Sequence, residues 1–249
     1  GTNDVEPNNA FSQATFAAYG TTTNGRIGHS GTTTDANDYY KIYIPDNGRF
    51  RLFTTYTNTA ANAGSDFYLY VHNKNLTTIG SSALTNRPVG QNPTDTLTVF
   101  CREADTMYVR VLAGDGCFSY SFTYEVTTTG TNDVEPNNSF AQSTVFGMND
   151  TIAGRIGHSG IAADANDYFK AYFPTEGTLK IYFSYISTTG DNGGDFYAYA
   201  YNSNNGTLES RSLTNRTADL PYTDSLILNC QGPDTVFVRF NASSCFSYD

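Results

Sequence analysis

Apolar and polar residues alternate with a period of two in short blocks along this chain, and Gly, Asn, Asp and Pro separate the blocks. In the block 38–44, Tyr40, Ile42 and Ile44 fall on one side of an extended chain, and Tyr39, Lys41 and Tyr43 on the other. The block 66–72 sets Phe67, Leu69 and Val71 against Tyr68, Tyr70 and His72. Further strands are predicted over 49–56, 94–101, 106–112 and 117–126, and no segment carries a helical period. Roughly eight short strands in about 125 residues predict an antiparallel β-sandwich of jelly-roll type.

The pattern is written twice. Residues 1–9 read GTNDVEPNN and residues 130–138 repeat all nine letters, an offset of 129. At the same offset GRIGHSG (25–31) returns at 154–160, DANDY (35–39) at 164–168, and Cys101 as Cys230. Near the end the offset falls to 128, where CFSY at 117 returns at 245. The chain therefore reads as two tandem all-β domains, 1–129 and 130–249, joined at a threonine run. The first copy continues past Tyr120 through SFTYEV, whereas the second stops at Asp249, so most of one terminal strand is missing from it. An artificial end, a processed end, a continuation of the same chain and a strand from a neighbouring chain all stay open here, and the last would build a polymer by strand addition.

Composition narrows the class. β-branched and aromatic residues suit strands, Asn and Gly suit turns, and Lys plus Arg total 14 against 24 Asp plus Glu. A formal charge of −10 repels nucleic acid, and no apolar run is long enough for membrane insertion. No charged-then-apolar leader opens the sequence, as expected of a mature secreted chain. The four cysteines fall two per copy, which predicts the disulfides Cys101–Cys117 and Cys230–Cys245 and an oxidising, extracellular or cell-surface location.

Two segments of each copy concentrate chemistry. In the first, Asp4, Glu6 and Asn8 alternate around Pro7, which favours an extended conformation for Glu6 and so places all three on one side. In the second, Asp35, Asn37 and Asp38 make a short acidic turn leading into a strand. If the two meet, four carboxylates converge with no lysine cluster beside them, and a hard cation relieves their repulsion. The second copy keeps every member, as Asp133, Glu135, Asn137, Asn138, Asp164 and Asp167. Asn, Asp and Pro also make turns by themselves, so spacing alone leaves a calcium site and a plain turn both open.

EPNN near the start of a module, a GxI strand some twenty residues on, and DxxDYY before a long alternating strand resemble the bacterial pre-peptidase C-terminal domain family. They also resemble the related calcium-binding, collagen-binding modules of secreted bacterial collagenases. The resemblance spans both copies and implies a jelly-roll-like sandwich appended to secreted proteins. By motif it implies calcium held by Asp4, Glu6, Asn8, Asn9, Asp35 and Asp38, and by Asp133, Glu135, Asn137, Asn138, Asp164 and Asp167. The collagen-binding strand is matched poorly, with Tyr108 and Leu112 in one copy and Phe237 and Asn241 in the other, so collagen is not carried over.

Other motifs carry less. GHSG at 28–31 is not the nucleophile-elbow pattern G-x-S-x-G, since Thr32 stands at its last position, and it reads as a turn. Tyr39, Tyr43, Tyr68 and Tyr70, with Tyr168, Tyr172, Tyr197, Tyr199 and Tyr201, form stripes opposite the apolar faces, suited to packing on another module or stacking on sugar. Asp-Thr/Ser-aliphatic triplets make Thr96, Thr106, Ser225 and Thr235 candidate O-glycosylation positions, although such triplets are also ordinary strand starts. The reading that follows is a non-enzymatic, calcium-binding repeat of a structural or adhesive surface protein whose partners are neighbouring copies. The alternative is a tandem appendage that targets a secreted hydrolase to a polysaccharide or a surface protein.

Overall fold

The computed structural model describes residues 4–28, 35–44, 48–59, 65–102, 104–128, 130, 133–157, 164–188, 194–230 and 232–249, without the side chains of Cys101, Arg102 and Asp115. The chain divides into two compact units. The first comprises Gly1–Val99 and Ala104–Thr127, and the second Thr128–Asp249 with Phe100–Glu103.

Among the described residues nine strands build the first domain: β1 (Thr15–Phe16), β2 (Thr23–Ile27), β3 (Asn37–Ile44), β4 (Gly48–Asn58), β5 (Ser65–Asn73), β6 (Thr78–Arg87), β7 (Thr94–Arg102), β8 (Asp105–Asp115) and β9 (Phe118–Thr128). They form a five-stranded sheet, β1-β3-β8-β5-β6, and a four-stranded sheet, β2-β9-β4-β7. The second domain repeats this with β10 (Thr144–Val145), β11 (Gly154–Ile156), β12 (Asn166–Phe173), β13 (Gly177–Ser187), β14 (Gly194–Tyr201), β15 (Thr207–Arg216), β16 (Pro221–Cys230), β17 (Asp234–Ala242) and β18 (Phe246–Tyr248). Its sheets run β10-β12-β17-β14-β15 and β11-β18-β13-β16. Apart from two parallel pairings, β1 with β3 and β10 with β12, every recorded strand pairing is antiparallel. The expected all-β sandwich forms, and among the described residues the helical structure is confined to the single turns Phe11–Gln13 and Phe140–Gln142. No helix of the described residues is long and apolar enough to cross a membrane.

The period-two blocks place the core. β4 alternates buried and half-buried along all eleven residues, and β5 buries Phe67, Leu69 and Val71 completely. Tyr56 stacks on Phe67 at 4.7 Å and 14°, and Tyr185 stacks on Phe196 at 4.8 Å and 6°. Strands β6 and β15 escape a pattern reading because they lie at sheet edges and bury one residue each, Leu84 and Leu213.

The two predicted disulfides do not form: Cys117 and Cys230 carry free thiols. Cys230 pairs with Gly177 at one end of β13, whereas Cys245 directly precedes Phe246, which pairs with Ser187 at the other end. Ten strand residues separate those ends by about 30 Å, far beyond the roughly 7 Å between Cα atoms that a disulfide spans. The first copy has the same layout. The Cys117 carbonyl accepts from Thr59 N–H (2.7 Å) just past the end of β4, and Pro93, before β7, accepts from Tyr56 (3.3 Å). Cys101, near the far end of β7, is thereby carried back towards the start of β4. A short loop in sequence conceals a long strand in space.

Candidate metal centre

In each domain the chain's first described segment is held against the start of a long strand. The Asn8 carbonyl accepts from Tyr39 N–H at 2.8 Å, and Asn137 does the same for Tyr168 at 2.9 Å. Asp38 lies one residue into β3 and faces the inter-sheet core, as its alternation with Tyr40 requires. Asn8 and Asp38 are fully buried, Asp4 is half-buried, and Glu6 is exposed at the rim. One carboxylate oxygen from each of Asp4, Glu6 and Asp38 lies within 4.8 Å of the other two, and Asp133, Glu135 and Asp167 repeat the arrangement.

The local bonds hold the cluster in shape. Asn8 donates through its amide nitrogen to Asp4 Oδ2 at 2.6 Å and through its backbone N–H to Glu6 Oε2 at 3.0 Å. In the second domain Asn137 donates to Asp133 Oδ2 and, at 2.9 Å, to Glu135 Oε2. Asn9 and Asn138 are exposed and donate their amides to Glu6 (3.2 Å) and Glu135 (3.3 Å) at the rim. Asp35 shares the field of Glu6 and Asp4, and its carbonyl accepts from Gly28 N–H, as that of Asp164 does from Gly157.

Tyrosine hydroxyls complete the site, and the sequence pattern did not anticipate them. Tyr120 on β9 donates to Asp38 Oδ2 at 2.5 Å, Tyr40 donates to Asp4 Oδ2 at 2.8 Å, and the two hydroxyls meet at 2.6 Å. In the second domain Phe169 occupies the place of Tyr40. There Tyr248 alone faces both Asp167 Oδ2 (2.7 Å) and Asp133 Oδ2 (3.1 Å). The signal was present, since CFSY ends in this tyrosine in both copies. The recurring glycine of GRIG has the same cause: a Cβ on Gly25 or Gly154 would collide with the hydroxyl of Tyr120 or Tyr248.

Burial pushes the Asp38 carboxyl up to about 9, against the opposing Tyr120 hydrogen bond and with the charges of Asp4, Asp35 and Glu6 adding to the rise. In the second domain, burial followed by the charges of Asp133 and Asp164 pushes Asp167 to about 10. Burial also raises Asp133, with Glu135 adding to it, and lifts Asp35 to about 6, with Glu6 and Asp4 adding. Among the described residues no lysine or arginine pairs with Asp4, Glu6 or Asp38. Buried oxygens also lack a donor: Asn8 Oδ1, Asp38 Oδ1, Asn137 Oδ1, Asp133 Oδ1 and Asp167 Oδ1. An unpaired buried acceptor costs about 1–3 kcal/mol. A carboxylate cluster whose buried members keep oxygens without a donor suits a hard divalent cation.

The tyrosine stripes lie on the outer face of the five-stranded sheets. Tyr68, Tyr70 and His72 form a ladder (6.5 and 6.2 Å), with the Arg110 guanidinium over Tyr39 (5.7 Å) and Tyr70 (5.1 Å). Tyr197, Tyr199 and Tyr201 repeat it (6.4 and 6.1 Å), with Arg239 over Tyr168 (5.7 Å) and Tyr199 (5.3 Å). Phe11 and Phe140 cover one edge, against Tyr39 at 4.5 Å and Tyr168 at 4.8 Å. Tyr43 and Tyr172 are more exposed, at 51% and 63%. Three of the four Asp-Thr/Ser triplets show the Asp side chain holding the next backbone N–H at 2.7 Å, that of Thr106, Ser225 or Thr235; Asp105 and Asp234 open β8 and β17, whereas Asp224 lies within β16. Thr96 is exposed on β7. Residues 29–31 and 158–160 of the GHSG motifs lie outside the described residues.

No family model matches this chain, and no curated protein matches it. Among solved structures, the chain is similar to the pre-peptidase C-terminal domain of a collagenase from Bacillus anthracis, at 14% identity over 49% of this chain and 100% of that one, with a TM-score of 0.33. It is also similar to the tandem CBM22 domains of Paenibacillus barcinonensis Xyn10C, at 8% identity over 92% and 90%, with a TM-score of 0.28. A β-glucosidase from Paenibacillus barengoltzii matches at 9% identity over 44% and 11%, with a TM-score of 0.27. At these identities no residue role passes from those proteins to this one.

Proposed function

We propose that each domain is a non-catalytic, calcium-binding module of an extracellular protein, and that the ion ties the first segment of the module to its long strand. Asp4, Glu6, Asn8 and Asp38 hold it in the first domain, with Asp35 adding field. Asp133, Glu135, Asn137 and Asp167 hold it in the second, where Asp164 takes the place of Asp35. The observation that carries this reading is the buried Asp38 and Asn8 oxygens, which face two further carboxylates with no donor of their own and have counterparts in the second repeat. Turn formation explains Asn and Pro in the first segment, but it gives no reason to bury a carboxylate beside two others. Repeated modules in tandem suit a structural or adhesive array in which neighbouring copies are the partners and calcium stiffens each unit. A second reading, a tandem appendage that directs a secreted hydrolase to a polysaccharide or protein, is favoured by the paired tyrosine ladders. Differential scanning calorimetry of the whole chain, with calcium and with excess EDTA, tests the calcium reading. A saturable rise in melting temperature with calcium supports it, and superimposable traces sink it.

A further inference from the structure

One transverse row on the outer face of the five-stranded sheet is the same in both domains. Across β3, β8, β5 and β6 it reads Tyr39, Arg110, Tyr70 and Ser81. Across β12, β17, β14 and β15 it reads Tyr168, Arg239, Tyr199 and Ser210. Four strands at their usual spacing make such a row about 14 Å long. The rows on either side differ between the copies. At the arginine's strand, Leu112 becomes Asn241 on one side and Tyr108 becomes Phe237 on the other. Those exchanges show that many side chains serve to cover this sheet, yet the arginine between two tyrosines is kept.

The arginine is held as a fork. Arg110 Nε donates to Asn37 Oδ1 at 2.8 Å, and Arg239 Nε to Asn166 Oδ1 at 2.8 Å. Each guanidinium carbon also lies between 5.1 and 5.7 Å from the centroids of both flanking tyrosine rings, which fixes it from two sides. Among the described residues the Nη groups of Arg110 and Arg239 donate to no acceptor, and no carboxylate pairs with either. The hydroxyls of Tyr39, Tyr70, Tyr168 and Tyr199 likewise have no partner among them. Lys41 and Lys170 stand on the next row of the same face, again with no carboxylate beside them among the described residues. The acids at the end of each ladder are engaged elsewhere. Asp66 and Asp195 accept from the Tyr68 and Tyr197 hydroxyls and from the N–H of Asn86 and Asn215. On a chain of net charge −10, each face therefore gathers two cations and two hydroxyls with no anion of its own. A planar guanidinium pinned through Nε keeps its other edge free for the two oxygens of a carboxylate.

We propose that each row binds an acidic polysaccharide built of uronic acid units. One carboxylate takes the Nη edge of Arg110 or Arg239, the flanking tyrosine hydroxyls bond the sugar hydroxyls beside it, and Lys41 or Lys170 meets the charge of a neighbouring unit. A uronate chain fits better than a neutral one because the row offers donors and positive charge without an anion. Nucleic acid is a worse match, since its dense phosphates would meet the acidic remainder of the chain. The proposal rests on the polysaccharide-targeting reading, names its ligand class, and is independent of calcium.

The test titrates the whole chain with polygalacturonate by calorimetry in EDTA, so that no calcium ion bridges two acidic polymers and the calcium site stays out of the result. Fully methyl-esterified polygalacturonate, dextran sulfate and polyglutamate are the comparison polymers. The expected result is saturable binding that weakens as salt is raised, and binding of the ester that is roughly tenfold or more weaker. Arg110→Gln with Arg239→Gln should lower the affinity by a similar roughly tenfold factor or more. Lysine at both positions should recover little of it, because lysine keeps the charge without the fork. Thermal melting shows whether these variants fold, and the ester comparison on the parent chain decides the matter if they do not. Full binding by the glutamine variant overturns the proposal, as does polygalacturonate bound no better than its ester, dextran sulfate or polyglutamate. Binding of the ester that survives both substitutions would overturn this site and keep the targeting reading, so the two fail separately.

Discussion

Replacing Asp38 by Asn separates a metal site from a turn because the two readings predict opposite signs in the absence of calcium. The unfolded chain ionises Asp38 at its ordinary value of 3.8, and the folded, calcium-free domain at about 9. Between those values the folded state holds a proton that the unfolded state has released, so this group's contribution to stability falls as pH rises. At pH 7 the difference from 3.8, at 1.36 kcal/mol per decade, is about 4 kcal/mol. Asparagine does not titrate and keeps an acceptor for Tyr120. Its amide also places a donor where Asp38 Oδ1 has none. In EDTA at pH 7 the Asp38→Asn chain should therefore be more stable in its first domain by roughly 1–4 kcal/mol, a rise on the order of 5–15 °C in melting temperature. In calcium at about a hundred times its dissociation constant, the parent domain gains about 2.7 kcal/mol and the variant little of it. The second domain, with Asp167 intact, serves as an internal reference within the same scan. A variant that melts lower in EDTA by as much as in calcium, or that keeps the full calcium shift, refutes the reasoning.

Other outcomes follow from the same geometry. Calcium binding must expel the proton that Asp38 or Asp167 holds near neutral pH, so calorimetry in buffers of different ionisation heat should show about one proton released per domain at pH 7. The calcium affinity should climb with pH until it levels near pH 9 in the first domain and near pH 10 in the second, and a flat profile would remove the buried carboxylate from the account. Tyr248→Phe deletes the hydroxyl shared by Asp133 and Asp167 and should cost the second domain about 1–3 kcal/mol in EDTA by thermal unfolding. Gly25→Ala should push Tyr120 off Asp38 and weaken calcium binding in the first domain alone, as read by titration of the whole chain. Alkylation without prior reduction, followed by peptide mapping, should label Cys117 and Cys230; protection of both would restore the disulfides expected from spacing.

Much of the fold was legible because period-two alternation is local, and duplication let each half check the other. Strands such as β3 and β5 bury every second side chain and announce themselves, whereas β6 and β15 sit at edges, bury one leucine each and leave no pattern. Asp4, Glu6 and Asn8 were readable as a set because they lie within five residues, and Asp38 because DANDY recurs. Tyr120 was not, for it reaches Asp38 from 82 residues away through the placement of β9 beside β2. The cysteines misled for a related reason. Spacing measures the chain between two residues, and here that chain carries them to opposite ends of an eleven-residue strand.

The most direct measurement is a calcium titration of the intact chain at pH 7.5 by calorimetry, with magnesium as the comparison ion. The account predicts saturable calcium binding with a stoichiometry near two, one ion per domain, falling to one in Asp38→Asn and vanishing when Asp167→Asn is added. Heat no greater than dilution, or a stoichiometry that both substitutions leave at two, would contradict it.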